Sequence, residues 1–169
     1  HLKGVTIRSL ANILPMSCHL HTGRDRQHRR EWRGMLGDLA QREDELGGKT
    51  MLIVGLGGIG TRLAQLAKAF DMRVLGVKRD PTRDGEAADE VYAPQQLLEL
   101  LPQVDFVVLT CPLTAETENL INEQALAAMR PTSYLINMAR GRVVDEQALV
   151  QRLRHGGIAG AGLDIFWDE

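Results

Sequence analysis

The stretch that decides the fold is MLIVGLGGIG, residues 51–60, in which apolar residues run directly into glycines with the spacing G-x-G-x-x-G. An apolar run followed by such a turn predicts a buried strand that passes at once into the N-terminus of a helix. Gly55 would let the chain turn, Gly57 would let a pyrophosphate approach the backbone, and Gly60 would let the helix pack close to the strand. The stretch therefore predicts a phosphate site made of backbone amides at the positive end of a helix dipole.

The residues after the glycines give this motif its context. The segment RVLGV at 73–77 reads as a second buried strand. The chain between the two strands carries apolar residues at helical spacing, namely Leu63, Leu66, Ala67 and Phe70. A structural turn without a ligand is the alternative interpretation, because glycine-rich turns are common. A strand, a helix and a second strand in this order favour a dinucleotide-binding unit.

Strands and helices continue to alternate along the rest of the chain. Further strands are expected at 91–92, 105–109, 134–136 and 158–163, and helices at 95–101, 122–129 and 145–153. This alternation predicts the α/β class, with a Rossmann-type doubly wound parallel sheet covered by helices on both faces. Ligands of such sheets bind beyond the carboxyl ends of the strands, so the loops after the strands should share one cleft.

The composition is that of one globular domain. The 169 residues are 44% hydrophobic and 25% charged, and the net charge of -2 does not suggest a nucleic-acid partner. No secretory pattern and no apolar run of membrane-spanning length occur, so we expect no membrane partner. Cys18 and Cys111 lie far apart without metal-ligand spacing, which predicts free thiols in a reducing cytoplasm and no metal site. Because the chain begins at His1, we expect it to be excised or processed from a larger protein.

Residues 1–33 have a different character from the rest of the chain. One helical face is indicated by Leu10, Ile13, Leu14 and Cys18, but Pro15 inside this pattern predicts an interruption or a first turn. The segment from His19 to Arg33 is basic, and its cations include Arg24, Arg26, Arg29, Arg30 and Arg33. A solvated helix face or an arm exposed to a partner chain is favoured. Nucleic-acid binding is the alternative, although the segment holds a single aromatic, Trp32.

The end of the second strand indicates which dinucleotide is bound. An Asp or Glu at this place normally accepts hydrogen bonds from the adenosine ribose, but this chain has Lys78 and Arg79 there. Cations cannot accept those bonds and would attract a ribose phosphate. The sequence therefore predicts NADP or NAD as the cofactor, with NADP favoured. In the alternative interpretation these cations are surface charges and Asp80 serves the ribose.

Four segments together resemble the nucleotide-binding domain of the D-isomer-specific 2-hydroxyacid dehydrogenases. The segments are residues 55–60, Cys111-Pro112-Leu113-Thr114 with Thr117, Ile136-Asn137-Met138-Ala139-Arg140-Gly141 with Val144-Asp145 and Ala148-Leu149, and Gly162-Leu163-Asp164-Ile165-Phe166. The resemblance covers about Gly34 to Glu169. It implies an NAD(P)-dependent oxidoreductase that interconverts a 2-hydroxy acid and a 2-keto acid.

The resemblance also implies roles for individual residues. Arg140 follows a buried strand, and its guanidinium suits a 2-keto acid because it can grip the carboxylate and polarise the carbonyl. Glu169 would pair with a catalytic His that lies beyond the end of this chain. Asp164 would contact the nicotinamide amide. The other cofactor-binding residues implied are Gly58, Ile59, Thr110, Cys111, Pro112, Thr117, Met138 and Ala139, with a packing role favoured for Cys111.

The resemblance divides the chain into two parts and leaves two functional hypotheses open. Residues 1–33 would be an interdomain helix and dimerisation arm, and residues 34–169 the Rossmann domain, with the substrate domain largely absent. We expect a homodimer that binds dinucleotide but turns over substrate poorly, because the general acid is missing. The alternative is a dinucleotide-sensing or corepressor-like scaffold module, which has no chemical need of Arg140 or Glu169.

Overall fold

The computed structural model describes residues 2–32, 34–35, 45–82 and 87–167. The helices are α1 (Leu2–Ser17), α2 (Leu20–Arg29), α3 (Gly58–Lys68), α4 (Leu97–Leu100), α5 (Glu123–Ala128) and α6 (Glu146–Arg154). The strands are β1 (Thr50–Val54), β2 (Arg73–Val77), β3 (Glu90–Tyr92), β4 (Phe106–Leu109), β5 (Tyr134–Asn137) and β6 (Gly160–Leu163). Short 3-10 turns lie at Pro94–Gln96, Leu101–Gln103 and Gly141–Val143.

The strands form one parallel sheet in the order β3-β2-β1-β4-β5-β6. This order confirms the predicted Rossmann-type doubly wound sheet. Strands β2 and β3 are added on one side of β1 and strands β4 to β6 on the other, so the switch point of the strand order lies between β1 and β4. The register places the last residues of the strands side by side, in the row Val77, Val54, Leu109, Asn137 and Leu163. The loops that follow these residues therefore emerge at one edge of the sheet.

Both faces of the sheet are buried, which explains why the strands read as continuous apolar runs. Alternate residues point to opposite sides, so Leu52 and Val54 pack in one hydrophobic cluster and Met51 and Ile53 in the other. The first cluster includes apolar residues of α4, α5 and α6, and the second includes those of α1 and α3. The sheet is thus the middle of three layers.

Helix α1 packs on the core, and the prediction that Pro15 interrupts this helix is wrong. The helix continues to Ser17, although Pro15 lies inside it. Pro15 cannot donate a backbone hydrogen bond, but in the last turn this removes one bond only, and Cys18 N still donates to Leu14 O at 3.0 Å. Burial of the predicted apolar face holds the helix in place, since Ile13 is fully buried.

Helix α2 buries none of its own residues. The basic segment is therefore exposed in the single chain, and whether it faces solvent or a partner chain stays a prediction. Trp32, just beyond the helix, is 98% exposed. Arg33 and residues 36–44 lie outside the described residues. Among the helices that the structure describes, none has the length and apolar character required to span a bilayer.

The loop before β3 contains a carboxylate, Asp89, that bonds to β2 and α3. Residues 83–86 of that loop lie outside the described ranges. Asp89 accepts hydrogen bonds from Val74 N at 2.7 Å and pairs with Lys68 Nζ at 2.8 Å. The bond to Lys68 and then the bond to Val74 lower the pKa of Asp89 below its ordinary value.

Replacing Asp89 by asparagine is expected to lower the free energy of unfolding at pH 7 by about 1 kcal/mol, after allowance for solvent screening of a part-exposed pair. A carboxylate with a lowered folded-state pKa stabilises the fold above its unfolded pKa of about 4, and this contribution is lost as the pH falls further. Urea unfolding at pH 7 and pH 3 measures the effect. A deficit of equal size at both values would contradict the assignment.

Candidate functional site

The glycine turn between β1 and α3 has the close packing that its motif predicts. Gly55 has a φ of +106°, and a Cβ there would lie 2.7 Å from Cys111 N. A Cβ at Gly60 would lie 2.1 Å from Gly55 O and 2.9 Å from Thr110 Oγ1. All three distances are shorter than real Cβ atoms show, so these two positions accept glycine alone without a backbone shift.

The middle glycine faces open space. A Cβ at Gly57 would meet no atom within 4 Å, although the residue itself has an extended backbone with φ of -83°. Gly57 is the N-cap of α3 and provides no side chain to cap the first amides of the helix. Gly57 and Gly58 are exposed and Ile59 is half-buried. The turn therefore offers backbone N–H groups and unfilled space, the arrangement that a phosphate requires.

The loop after β4 is fastened to the glycine turn. Thr110 Oγ1 donates to Gly55 O at 2.7 Å, so this hydroxyl holds the turn closed. Cys111 is 92% buried, since its exposed fraction is 8%, and burial raises the pKa of its thiol above the ordinary value. A buried thiol with a raised pKa is a poor nucleophile at neutral pH, which supports the packing role favoured for Cys111.

The next residues form a turn that Thr117 stabilises. Its Oγ1 donates to Pro112 O at 2.7 Å and accepts from Thr114 N at 2.8 Å. Pro112 itself is exposed at the sheet edge. The side chain of Thr117 therefore shapes the loop, and direct contact between Thr117 and a cofactor stays a prediction.

The loop after β2 carries two cations, Lys78 and Arg79. Lys78 is half-buried, and Arg79 is exposed. The pKa of Glu116 is lowered mainly by a hydrogen bond from Thr114, and the nearby charge of Arg79 adds to this effect. Arg79 thus lies near the loop after β4, across the carboxyl edge of the sheet. This places a cation beside the region where a dinucleotide would extend its adenosine ribose.

Asp80, the alternative ribose acceptor, is bonded within its own loop. Its Oδ1 accepts from Thr82 Oγ1 at 2.6 Å and from Thr82 N at 3.1 Å. These bonds lower the pKa of Asp80, with the hydroxyl of Thr82 the largest cause. To serve a ribose, the carboxylate would have to give up both bonds.

The loop after β5 is held by a buried amide. Asn137 is fully buried, its Nδ2 donates to Arg140 O at 2.9 Å, and its Oδ1 accepts from Ala139 N at 3.0 Å. Met138 and Ala139 are both buried, and the Met138 sulfur lies 3.6 Å from Asn12 Nδ2 on α1. Met138 therefore directs its side chain toward α1, which leaves its backbone at the sheet edge. Arg140 is exposed, and its guanidinium donates to Ala139 O at 2.7 Å.

The loop after β6 packs against the segment that carries Arg140. A Cβ at Gly141 would lie 2.4 Å from Phe166 O, and Trp167 Nε1 donates to Val144 O at 2.8 Å. Asp164 lies directly after β6 and is paired with Arg8 of α1 at 3.5 Å. The loops after β5 and β6 therefore form one packed unit. Glu169, the predicted partner of a catalytic His, lies outside the described residues.

The predicted site residues emerge at one edge of the sheet. Two strand spacings separate β1 from β5, which corresponds to about 10 Å between the glycine turn and the Arg140 loop. The open space at Gly57 and the uncapped helix N-terminus fit a pyrophosphate, and the exposed Arg140 fits a carboxylate. The arrangement suits a dinucleotide that crosses the switch point with its reactive end toward β5 and β6.

A family model described as "D-isomer specific 2-hydroxyacid dehydrogenase, NAD binding domain" matches residues 10–169. The chain belongs to the D-isomer-specific 2-hydroxyacid dehydrogenase family. It is 51% identical over 126 residues to a glyoxylate reductase of Pyrococcus furiosus, covering 74% of this chain and 37% of the relative. The chain thus spans little more than a third of that relative's length.

Solved structures show the same fold. A D-lactate dehydrogenase of Aquifex aeolicus, complexed with NAD and lactic acid, matches with a TM-score of 0.88 and 34% identity, covering 99% of this chain and 49% of that one. An acyclic imino acid reductase in complex with NADPH and D-arginine matches with a TM-score of 0.84 and 28% identity, covering 96% and 50%. Chains similar to this dehydrogenase domain have therefore been solved with either cofactor.

Two residues of this dehydrogenase domain position the site, although sequence reasoning gave them no role. Asn137 was part of a matched segment, but its clamp on residues 139 and 140 depends on complete burial at the end of a strand. Gly141 is needed because the backbone of residues 166 and 167 crosses it. A polar residue at the end of an apolar run was the available signal for Asn137. No local signal pointed to the contact of Gly141.

Proposed function

We propose that this chain is the dinucleotide-binding part of an NAD(P)-dependent oxidoreductase that interconverts a small 2-hydroxy acid and the matching 2-keto acid. The observation that carries the proposal is the shared sheet edge of the glycine turn and Arg140. A module that only senses dinucleotide has no chemical need of Arg140, and this favours the enzyme over a corepressor-like scaffold. The free thiols of Cys18 and Cys111 support a reducing compartment such as the cytoplasm.

Different residues of the chain would bind the cofactor, orient its nicotinamide and hold the substrate. Amides of Gly57, Gly58 and Ile59 would bind the pyrophosphate, and the carboxylate of Asp164 would orient the nicotinamide amide. The cofactor, when bound, supplies the hydride chemistry. Arg140 would hold the substrate carboxylate and stabilise negative charge on the oxygen of the reacting carbonyl. Glu169 would keep a His from another part of the protein protonated, so that it donates a proton to that oxygen.

We infer that NADP is the preferred cofactor. Arg79 lies at the carboxyl edge near Glu116, and Lys78 is half-buried at the end of β2. The carboxylate that could serve an unphosphorylated ribose, Asp80, is already bonded to Thr82. A ribose phosphate would gain charge-assisted hydrogen bonds from the two cations, which the hydroxyl groups of NAD cannot match.

Equilibrium titration of the chain is expected to show NADPH binding at least about tenfold tighter than NADH, because the ribose phosphate of NADPH would accept two charge-assisted hydrogen bonds that NADH cannot form. Replacing Lys78 and Arg79 together by alanine should remove most of this difference by weakening NADPH alone. Arg154→Ala, an exposed cation at the end of α6, is the matched control and should change neither affinity. Equal or tighter NADH binding by the unaltered chain would refute the preference.

We also propose that the isolated chain binds dinucleotide but turns over substrate poorly. The predicted general acid is a His in the family's catalytic context, and the histidines at 1, 19, 21, 28 and 155 do not stand in it. His155 caps the end of α6, where its Nδ1 lies 2.7 Å from Gln151 O. Assays with glyoxylate or hydroxypyruvate test this part, and turnover near that of an intact family enzyme would contradict it.

We propose that residues 1–33 mediate a homodimer. Helix α2 buries none of its residues in the single chain, while Leu20 is 58% exposed and Trp32 98% exposed. Sedimentation is expected to give twice the mass of one chain, and Leu20→Asp with Trp32→Ala should give a monomer. Leu98→Asp, on the exposed side of α4, should leave the dimer intact. A monomeric unaltered chain would contradict the proposal.

A further inference from the structure

Helix α1 reaches the carboxyl edge of the sheet through one ion pair. Arg8 Nη2 lies 3.5 Å from Asp164 Oδ2, and the side chains are 59% and 18% exposed. Asp164 N also donates to Asn137 O at 3.0 Å, so its backbone is fixed to β5. The backbone of Asp164 is thus held by the sheet, and its carboxylate is oriented by α1.

The position of Arg8 follows from how α1 crosses the sheet. Residues four apart lie on one side of a helix, and Arg8, Asn12 and Met16 form such a row. A Cβ at Gly162 would lie 3.1 Å from Met16 Cε and 3.2 Å from Asn12 Cβ, so the row lies along β6. Arg8 is the member of the row nearest the end of the strand. Because Gly162 has no side chain, α1 lies close enough for Arg8 to reach Asp164.

We propose that Arg8 is a positioning residue for the nicotinamide end of the site. By holding Oδ2 of Asp164, Arg8 directs Oδ1 toward the nicotinamide amide, from which it accepts a hydrogen bond. The inference rests on the proposed function, in which Asp164 orients that amide. It assigns to helix α1 a part in cofactor binding beyond its packing on the sheet.

Arg8 also changes the charge next to the nicotinamide ring. The oxidised ring is cationic and the reduced ring is neutral, so an unpaired carboxylate beside it favours the oxidised cofactor. Arg8 offsets the charge of Asp164 and removes part of that preference. The ion pair thus favours the reduced cofactor, the form needed to reduce a keto acid.

Binding of NADPH, NADP⁺ and 2′-phospho-ADP-ribose to the chain and its Arg8 variants tests the proposal, with NADH, NAD⁺ and ADP-ribose in parallel. The two ADP-ribose compounds lack nicotinamide. Arg8→Gln is expected to weaken NADPH by roughly threefold to tenfold, the effect of one lost hydrogen bond, and to weaken NADP⁺ less. It should leave 2′-phospho-ADP-ribose unchanged. Arg8→Lys should retain most of the affinity for NADPH, because it keeps the charge.

The control is Arg73→Gln, which removes an arginine of similar exposure that pairs with Glu90 at the opposite edge of the sheet, and it should change no affinity. Equal losses for NADPH and 2′-phospho-ADP-ribose would show a merely structural role and overturn the proposal. Unchanged NADPH binding by Arg8→Gln would also overturn it. If the unaltered chain bound none of the nucleotides, the proposed function would fail, and the failure would be visible before any variant is compared.

Discussion

Replacing Gly57 by alanine should leave the fold intact and weaken dinucleotide binding by about tenfold to a hundredfold. A Cβ added at Gly57 would meet no atom within 4 Å, and the φ of Gly57, -83°, is allowed for any residue. The same Cβ would occupy the space through which a pyrophosphate approaches the amides of α3. Each lost bond between an amide and a charged phosphate is worth about 1.5–3 kcal/mol, which sets the expected range.

Gly60→Ala is the contrasting variant, because its expected effect is on the stability of the fold. A Cβ there would lie 2.1 Å from Gly55 O, so α3 would have to shift away from β1. Such overpacking is expected to lower the free energy of unfolding by about 1–3 kcal/mol. Urea unfolding and calorimetric titration of both variants measure the contrast. Undiminished affinity in Gly57→Ala would mean that phosphates do not bind at this turn.

Replacing Arg140 by glutamine in the full protein is expected to lower kcat/KM for a keto acid such as glyoxylate by at least about 10²- to 10³-fold. Loss of one donor to the developing oxyanion accounts for an effect of that size, and loss of the carboxylate partner adds to it. Cofactor affinity should stay unchanged, because the dinucleotide would bind mainly through the loops after β1 and β2.

Arg142→Gln is the matched control for Arg140. Arg142 lies two residues further along and pairs with Glu118 on the surface, so its loss should leave kcat/KM nearly unchanged. Steady-state kinetics with NADPH and glyoxylate provide the comparison. The role of Arg140 would be refuted if both variants lost activity equally, or if Arg140→Gln retained full activity.

The fold could be predicted from the sequence because its strands carry unambiguous local signals. The runs at 51–54 and 106–109 are apolar on both faces, as strands between two helical layers must be. The starts of the helices predicted at 122 and 145 also depend on local bonds, since Asn122 and Asp145 accept hydrogen bonds from the amides three residues later. The continuity of helix α1 through Pro15 was missed, because Asn12 and Met16 pack against Met138 and Gly162, more than a hundred positions away.

Residues of the site could be predicted only where the residue type and its place after a strand together indicate a role. The glycines of the turn and the position of Arg140 after a strand could be predicted from the sequence. The structure places both at the carboxyl edge of the sheet. The clamp by Asn137 and the crossing of residue 166 over Gly141 depend on how separate loops pack together. The ion pair of Arg8 with Asp164 joins residues 156 positions apart, and spacing within either segment does not reveal it.

Backbone amide NMR of the chain during titration with NADPH tests most directly whether the dinucleotide crosses this edge of the sheet. Chemical shifts should change together at Gly57–Ile59 and in the loops that carry Arg140 and Asp164. The amides of Thr50 and Arg73, at the opposite edge, should not change. Changes confined to the opposite edge of the sheet would contradict the placement of both ends of the cofactor.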